Sequence, residues 1–182
     1  MEQGRIVIIT GAPGTGKSTI SALVAAQSSM EKSLHIHTDD FYHYLSKGAI
    51  PPHLPASHAQ NAVVMEALSE AAKCFAKGGY DVIVDGIIGP WFLKPWLRAA
   101  QADYEVHYII LRASRDETMA RALSRAKLDQ KTNRELVDAM WAQFCDIGAY
   151  EANVIDTTGC SISASVSAVK DRIARRTALL PA

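Results

Sequence analysis

Five short apolar runs recur along the chain, and the longer stretches between them carry apolar residues every three or four positions. The runs are Arg5–Thr10, Ser33–Thr38, Tyr80–Asp85, Tyr104–Arg112 and Asn153–Thr157. Ile6–Ile9, Val82–Val84 and Ile109–Leu111 are continuously apolar, the pattern of strands covered by helices on both faces. The helical stretches have readable ends. Ser57 opens a pattern that continues to Lys77 and stops at Gly78-Gly79. Ser114 with Glu117, and Thr132 with Glu135, have capping-box spacing and predict helices to about Ala126 and about Ile147. A last amphipathic pattern runs from about Ser161 to Ala178, while Leu45 to Pro55, with Gly48 and Pro51-Pro52, reads as a loop. Such alternation predicts an α/β fold, a parallel sheet with helices on both faces.

The first run leads directly into Gly11-Ala12-Pro13-Gly14-Thr15-Gly16-Lys17-Ser18, followed by Thr19 and a helical pattern. This is a complete G-x-x-x-x-G-K-[ST] phosphate loop in the strand–turn–helix setting that it requires. Glycines at 11, 14 and 16 let backbone N–H groups turn inward around a phosphate, and the following helix adds its positive end. Lys17 can reach the β- and γ-phosphates, and the Ser18 hydroxyl can hold Mg²⁺. The loop predicts binding of a nucleoside triphosphate through residues 11–19.

Ligands of a parallel α/β sheet sit beyond the carboxyl ends of its strands. That rule selects Thr38-Asp39-Asp40, Asp85-Gly86, Arg112 and Asp156-Thr157-Thr158. Phosphoryl transfer to an alcohol needs a carboxylate that orients the hydroxyl and takes its proton. Asp39 and Asp40 are the candidates, and strand alternation would send them to opposite sides so that one serves. Asp85 is a candidate for Mg²⁺ or substrate positioning, and Gly86 marks a close approach to the backbone. Arg121 and Arg125 share a helical face and can close over the nucleotide, although Glu117 is placed to pair with Arg121 and Asp129 with Arg125. Tyr42, Tyr44, Trp91 and Trp96 are candidate walls of an acceptor pocket or parts of the core. His35 and His37, on one face of the second strand, read as core or edge histidines.

The 182 residues predict one domain spanning 1–182, with a substrate-covering segment at about 41–60 and a short lid at about 126–134. Net charge is zero and the isoelectric point about 7.0, which argues against nucleic acid or an anionic membrane as partner. Cys74, Cys145 and Cys160 have no metal-ligand spacing, and the first two read as small buried residues. The first strand begins too early for a signal peptide, and no stretch reaches transmembrane length, so the expected location is cytoplasmic, as monomer or homodimer.

Taken together, Gly11–Ser18, Thr38-Asp39-Asp40, Ile83-Val84-Asp85-Gly86, Arg121 with Arg125, and Val154-Ile155-Asp156-Thr157-Thr158 resemble the P-loop kinases of the nucleoside monophosphate kinase superfamily. The resemblance is strongest to the group of chloramphenicol phosphotransferase, gluconate- and shikimate-kinase-like proteins, and bacterial ATP-binding proteins often labelled AAA-family ATPases. It implies a three-layer P-loop NTPase sandwich with strand order 2-3-1-4-5, ATP with Mg²⁺, and a small-molecule hydroxyl acceptor assisted by Asp39. It also implies Arg121 near the adenine, Arg125 near the phosphates, and Thr157 in the loop bordering the base. The lid lacks a dense arginine cluster, and no acceptor signature of gluconate, shikimate or a nucleotide is present. Two other classes share the phosphate loop: a nucleotide switch or ATPase acting on a protein partner, and a polynucleotide kinase-like enzyme. Against the first, no Asn/Thr-Lys-x-Asp motif occurs and Asp85 is followed by glycine rather than glutamate. Neutral charge argues against the second.

Overall fold

A computed structural model of the chain describes residues 2–124 and 130–182. Five parallel strands form one sheet in the order β2-β3-β1-β4-β5: β1 Arg5–Thr10, β2 Ser33–His37, β3 Asp81–Asp85, β4 Glu105–Arg112 and β5 Val154–Asp156. The helices are α1 Lys17–Ala26, α2 Thr38–His43, α3 His58–Lys77, α4 Lys94–Gln101, α5 Arg115–Ser124, α6 Gln130–Gln143 and α7 Ile162–Ala174. Order and parallel direction agree with the P-loop NTPase sandwich that the motifs imply.

Strand alternation divides the core in two. Ile6, Ile8, Val82, Val84, Tyr108 and Ile110 pack against Val64, Met65 and Leu68 of α3 and Trp96 of α4. Val7, Ile9, Ile83, Ile109 and Leu111 face Ile20 and Val24 of α1 and Val166, Val169 and Ile173 of α7. At the amino end of the sheet, Arg5 Nε and Nη2 donate to the two oxygens of buried Asp81 at 2.9 and 2.8 Å. A buried carboxylate is tolerated because it is paired and hydrogen-bonded.

Several local expectations change. The second strand stops at His37, and Thr38-Asp39-Asp40 form the first turn of α2. Thr38 is fully packed beneath Gly86, where any Cβ would run into the Thr38 side chain. Asp39 and Asp40 are therefore separated by helical rotation rather than by strand alternation. Helix α6 begins at Gln130, so Thr132 lies within it and is not its cap. Ser114 Oγ accepts from Glu117 N at 3.3 Å, but Glu117 turns to Gly159 N (3.1 Å) instead of closing the box. Cys74 and Cys145 are exposed, because the neighbouring Ala72, Ala76 and Phe144 take the buried faces of their segments. Trp96 is wholly buried in the core and is no part of a pocket wall. The expected lid falls partly outside the described residues, and its portion from 130 onward is helical. No helix among the described residues is long and apolar enough to cross a membrane.

Trp96→Ala empties a large fully enclosed volume between α4 and the sheet. We expect it to lower unfolding stability by roughly 3–5 kcal/mol, read as a reduced urea midpoint with little change in slope.

Candidate active site

The site is built where β1, β2 and β3 end. Gly11, Gly14 and Gly16 all take positive φ (145°, 86° and 89°). A Cβ at Gly11 would meet the Leu111 carbonyl, and one at Gly14 the Thr118 carbonyl. The loop is thus wedged between β4 and α5 as well as shaped for phosphate. Thr15 Oγ1 and Lys17 Nζ both donate to the Ala12 carbonyl at 2.9 Å, which holds the loop curled, while Pro13 and Gly14 face the cavity beside it. Gly16 precedes α1 in the left-handed region, and no side chain caps that helix. The first N–H groups of α1 are consequently available to an anion. Ser18 and Thr19 are exposed on its first turn.

Beside the loop lies a network that the spacing of single residues did not reveal. In the β2–β3 register His37 sits opposite Asp85 and His35 opposite Ile83. Both imidazoles reach the same carboxylate oxygen: His35 Nε2 and His37 Nδ1 lie 2.9 and 2.7 Å from Asp85 Oδ1. His37 Nε2 is also 3.2 Å from Asp39 Oδ2. One histidine therefore bridges a buried carboxylate, Asp85, and a largely exposed one, Asp39. His35 and His37 do lie on the edge strand of the sheet, and the sequence reading missed only that both meet a carboxylate of the adjacent strand. Alternation along β2 was the available signal: it puts residues 35 and 37 on one face, toward whatever ends the neighbouring strand.

The charges follow from these contacts. Burial pushes the Asp85 carboxyl up, but His35, His37 and the Ser18 hydroxyl outweigh it and hold the group well below the usual carboxylate range. Hydrogen bonds to Asp39 and then Asp85 push the His37 imidazole up to about 10 against its burial. Asp39 is lowered, chiefly by His37, with Lys17 adding to the effect. Tyr42 is pushed up to about 12 by burial and by the Asp39 charge. Among the described residues Asp85 Oδ2 is buried and has no hydrogen-bond partner. An ionised, unpartnered oxygen with the Ser18 hydroxyl nearby fits a hard, oxygen-seeking cation such as Mg²⁺. No cluster of three or more His, Cys, Asp or Glu suited to a metal occurs among the described residues, so any such ion would draw further ligands from nucleotide phosphate and water.

The remaining candidates separate clearly. Asp39 and Tyr42 line the cavity next to the phosphate loop, whereas Asp40 is exposed and outside its lining. Gly86 adjoins Thr38 rather than open space. Arg112 is engaged elsewhere, gripping Glu151 through two nitrogens (3.0 and 2.7 Å) and donating to the Phe144 carbonyl. Arg121 lies 3.2 Å from Glu117. Thr157 is buried, with its N–H donating to the Arg112 carbonyl at 2.7 Å, and so joins β5 to β4. Thr158 Oγ1 accepts from Ser114 N, which ties the loop after β5 to the start of α5. Arg125 lies outside the described residues.

Residues 7–142 match the model of an AAA-domain family. The chain belongs to that AAA-domain family. The matched span takes in the phosphate loop, Asp39, Asp85, Arg121 and Arg125. No curated protein matches the sequence. Among solved structures, the AAA-domain chain resembles the APS kinase of Mycobacterium tuberculosis in complex with AMPPNP and APS. Identity is 19%, the TM-score 0.72, and 96% and 99% of the two chains are covered. It likewise resembles a gluconokinase from Sinorhizobium meliloti 1021 (16%, TM-score 0.66, 97% and 94% covered). A third likeness is to thymidylate kinase from Candida albicans (17%, TM-score 0.68, 99% and 96% covered). At these identities the likeness is one of fold: this AAA domain has the architecture of nucleoside monophosphate kinase-like P-loop kinases.

In the magnesium-free protein, His37 should carry its second proton at about pH 8, visible in its imidazole nitrogen shifts. A raised folded pKa gives stability that is complete below about pH 6.5 and is lost as pH climbs through about 10. Imidazole shifts of a neutral ring at pH 8 would contradict the bridge.

Proposed function

We propose that the chain transfers the γ-phosphoryl group of ATP to the hydroxyl of a small molecule. The observation that carries this reading is the placement of Asp39. Its carboxylate lines the same cavity as Pro13 and Gly14 of the phosphate loop and is tethered through His37 to Asp85. A hydrolysing switch has no need of a roomy cavity next to a tethered carboxylate, whereas a transferase must seat an acceptor there.

In this reading residues 11–19 hold the triphosphate by backbone N–H groups, with Lys17 bridging to the γ-phosphate. Ser18 and Asp85 would hold Mg²⁺, which when bound neutralises charge on the β- and γ-phosphates. Asp39 accepts a hydrogen bond from the acceptor hydroxyl and aligns its oxygen with the γ-phosphorus. The new O–P bond forms as the bond to the bridging β–γ oxygen breaks, ADP leaves, and the hydroxyl proton passes to Asp39. A lowered pKa suits this role, because a loose transition state demands orientation first and proton removal late. Arg121, beside the loop 157–159 through Glu117, is assigned to the base, and Arg125 to the phosphates. Asp40 is left as a surface carboxylate of α2. The region 41–60 covers the acceptor, and the protein acts on a metabolite rather than on nucleic acid.

Asp39→Asn should lower kcat about 10²–10⁴-fold with little change in ATP affinity, whereas Asp40→Asn should leave kcat near that of the parent. Lys17→Ala should abolish turnover and weaken ATP binding together. Phosphate-transfer assays over hydroxyl metabolites, paired with calorimetric ATP titrations, check all three. Full transfer by the Asp39→Asn protein would remove Asp39 from the chemistry.

A further inference from the structure

Strand β5 pairs with β4 only over Ile110–Arg112. Before that point the outer edge of β4 carries N–H and C=O groups that need other partners. The segment after α7 supplies them. Tyr108 N–H donates to the Ala178 carbonyl at 2.7 Å, and Leu180 N–H donates to the Val106 carbonyl at 2.8 Å. An antiparallel bridge joins His107 to Leu179 between them. Arg176 Nη1 donates to Glu105 Oε2 at 2.6 Å. Ala178 and Leu180 are buried, one in each layer of the core. Residues 176–180 thus lie along β4 as a strap.

His107 is enclosed at the middle of this contact. Its side chain is wholly buried. Alternation along β4 puts it on the face of Ile109 and Leu111, which α1 and α7 cover with Ala25, Val169 and Ile173. Nε2 lies 2.8 Å from Glu105 Oε1, on the same carboxylate that holds Arg176. A carboxylate accepts and cannot donate, so the ring proton sits on Nε2. Nδ1 is buried and has no partner among the described residues. A second proton would occupy a nitrogen with neither an acceptor nor water, which is destabilising.

The charges around the ring divide. Burial pushes the imidazole below its ordinary value and Glu105 pulls it up, while Arg5 and Arg176 push it further down. Arg5 comes from β1, in register with Glu105. On α7, Lys170 donates to Gln27 Oε1, Arg172 to the Ala152 and Val154 carbonyls, and Asp171 is exposed. Lys17, the charged residue of α1, is at the far end of the sheet in the phosphate loop.

We propose that residues 176–180 form a strap that is fastened to β4 while His107 is neutral and is loosened when the imidazole takes a second proton. Opening the strap uncovers the strand edge beside His107 and gives the new N–H water to bond. Because the closed form holds the imidazole below its ordinary value, the strap is fully fastened above about pH 6.5 and loosens as pH falls below it. The kinase reading is not involved, since the strap lies at the end of the sheet away from the phosphate loop.

Amide hydrogen exchange on the full chain without nucleotide tests this, with protection corrected for the intrinsic pH dependence of exchange. The Tyr108 and Leu180 amides should be less protected than those of Ile8 and Ile9 in the centre of the sheet, as a local opening requires. Between about pH 7.5 and about pH 5.5 their protection should fall several-fold, with about tenfold as the ceiling for one proton. His107→Gln, which keeps a donor for Glu105 and does not titrate, should abolish that fall. Protection equal to that of Ile8 and Ile9, a pH-independent value in the parent, or an unchanged fall in His107→Gln would each overturn the proposal. Should His107→Gln fail to fold, the His107 nitrogen shifts of the parent decide. A neutral ring at about pH 7.5 that protonates together with the loss of strap protection supports the proposal. A ring already protonated there, or one that protonates with the strap amides unchanged, overturns it.

Discussion

The site depends on one buried carboxylate. Asp85 ends a strand whose neighbours on both sides are in register with it, Ile9 on β1 and His37 on β2. An ionised group in that position is tolerable only with several partners at once. Two come from β2, and both use the same oxygen. The other oxygen has no partner among the described residues, and the proposed function assigns it to a cation. The same arrangement extends through His37 to Asp39, so the group assigned to the acceptor is coupled by two hydrogen-bonding contacts to the group assigned to the metal.

Around this point the fold supplies two unlike surroundings. The phosphate side is backbone: positive-φ glycines, an uncapped helix start and a lysine held by the loop's own carbonyl. Such a surface recognises a triphosphate whatever lies beyond it. The cavity side, proposed above to seat the acceptor, is made largely of side chains from α2, the segment before α3, the turn after β3, and α6. These pieces are distant in sequence and free to differ while the phosphate side stays the same. That division fits an architecture shared with kinases named for acceptors of little common chemistry.

Much of the fold was legible from the chain. Continuous apolar runs marked β1, β3 and β4 because buried parallel strands need no polar face, and glycines marked the end of α3. The errors arose where tertiary contacts override local pattern. Thr38 reads as a strand residue but turns helical under Gly86, whose missing side chain makes room for it. Of the two readings open for Trp96, pocket wall or core, packing against the sheet settles the second. Thr132 has the spacing of a cap but sits inside a helix that begins earlier.

The linear chain alone determined the phosphate loop, the strand-and-helix alternation and the acids at the strand ends, because each is a local pattern of adjacent residues. Only the tertiary structure decided which acid meets which histidine and that Asp39 rather than Asp40 faces the cavity. Those facts depend on register between strands and on packing between distant segments. A two-residue spacing on β2 acquires its meaning from a carboxylate 48 residues away.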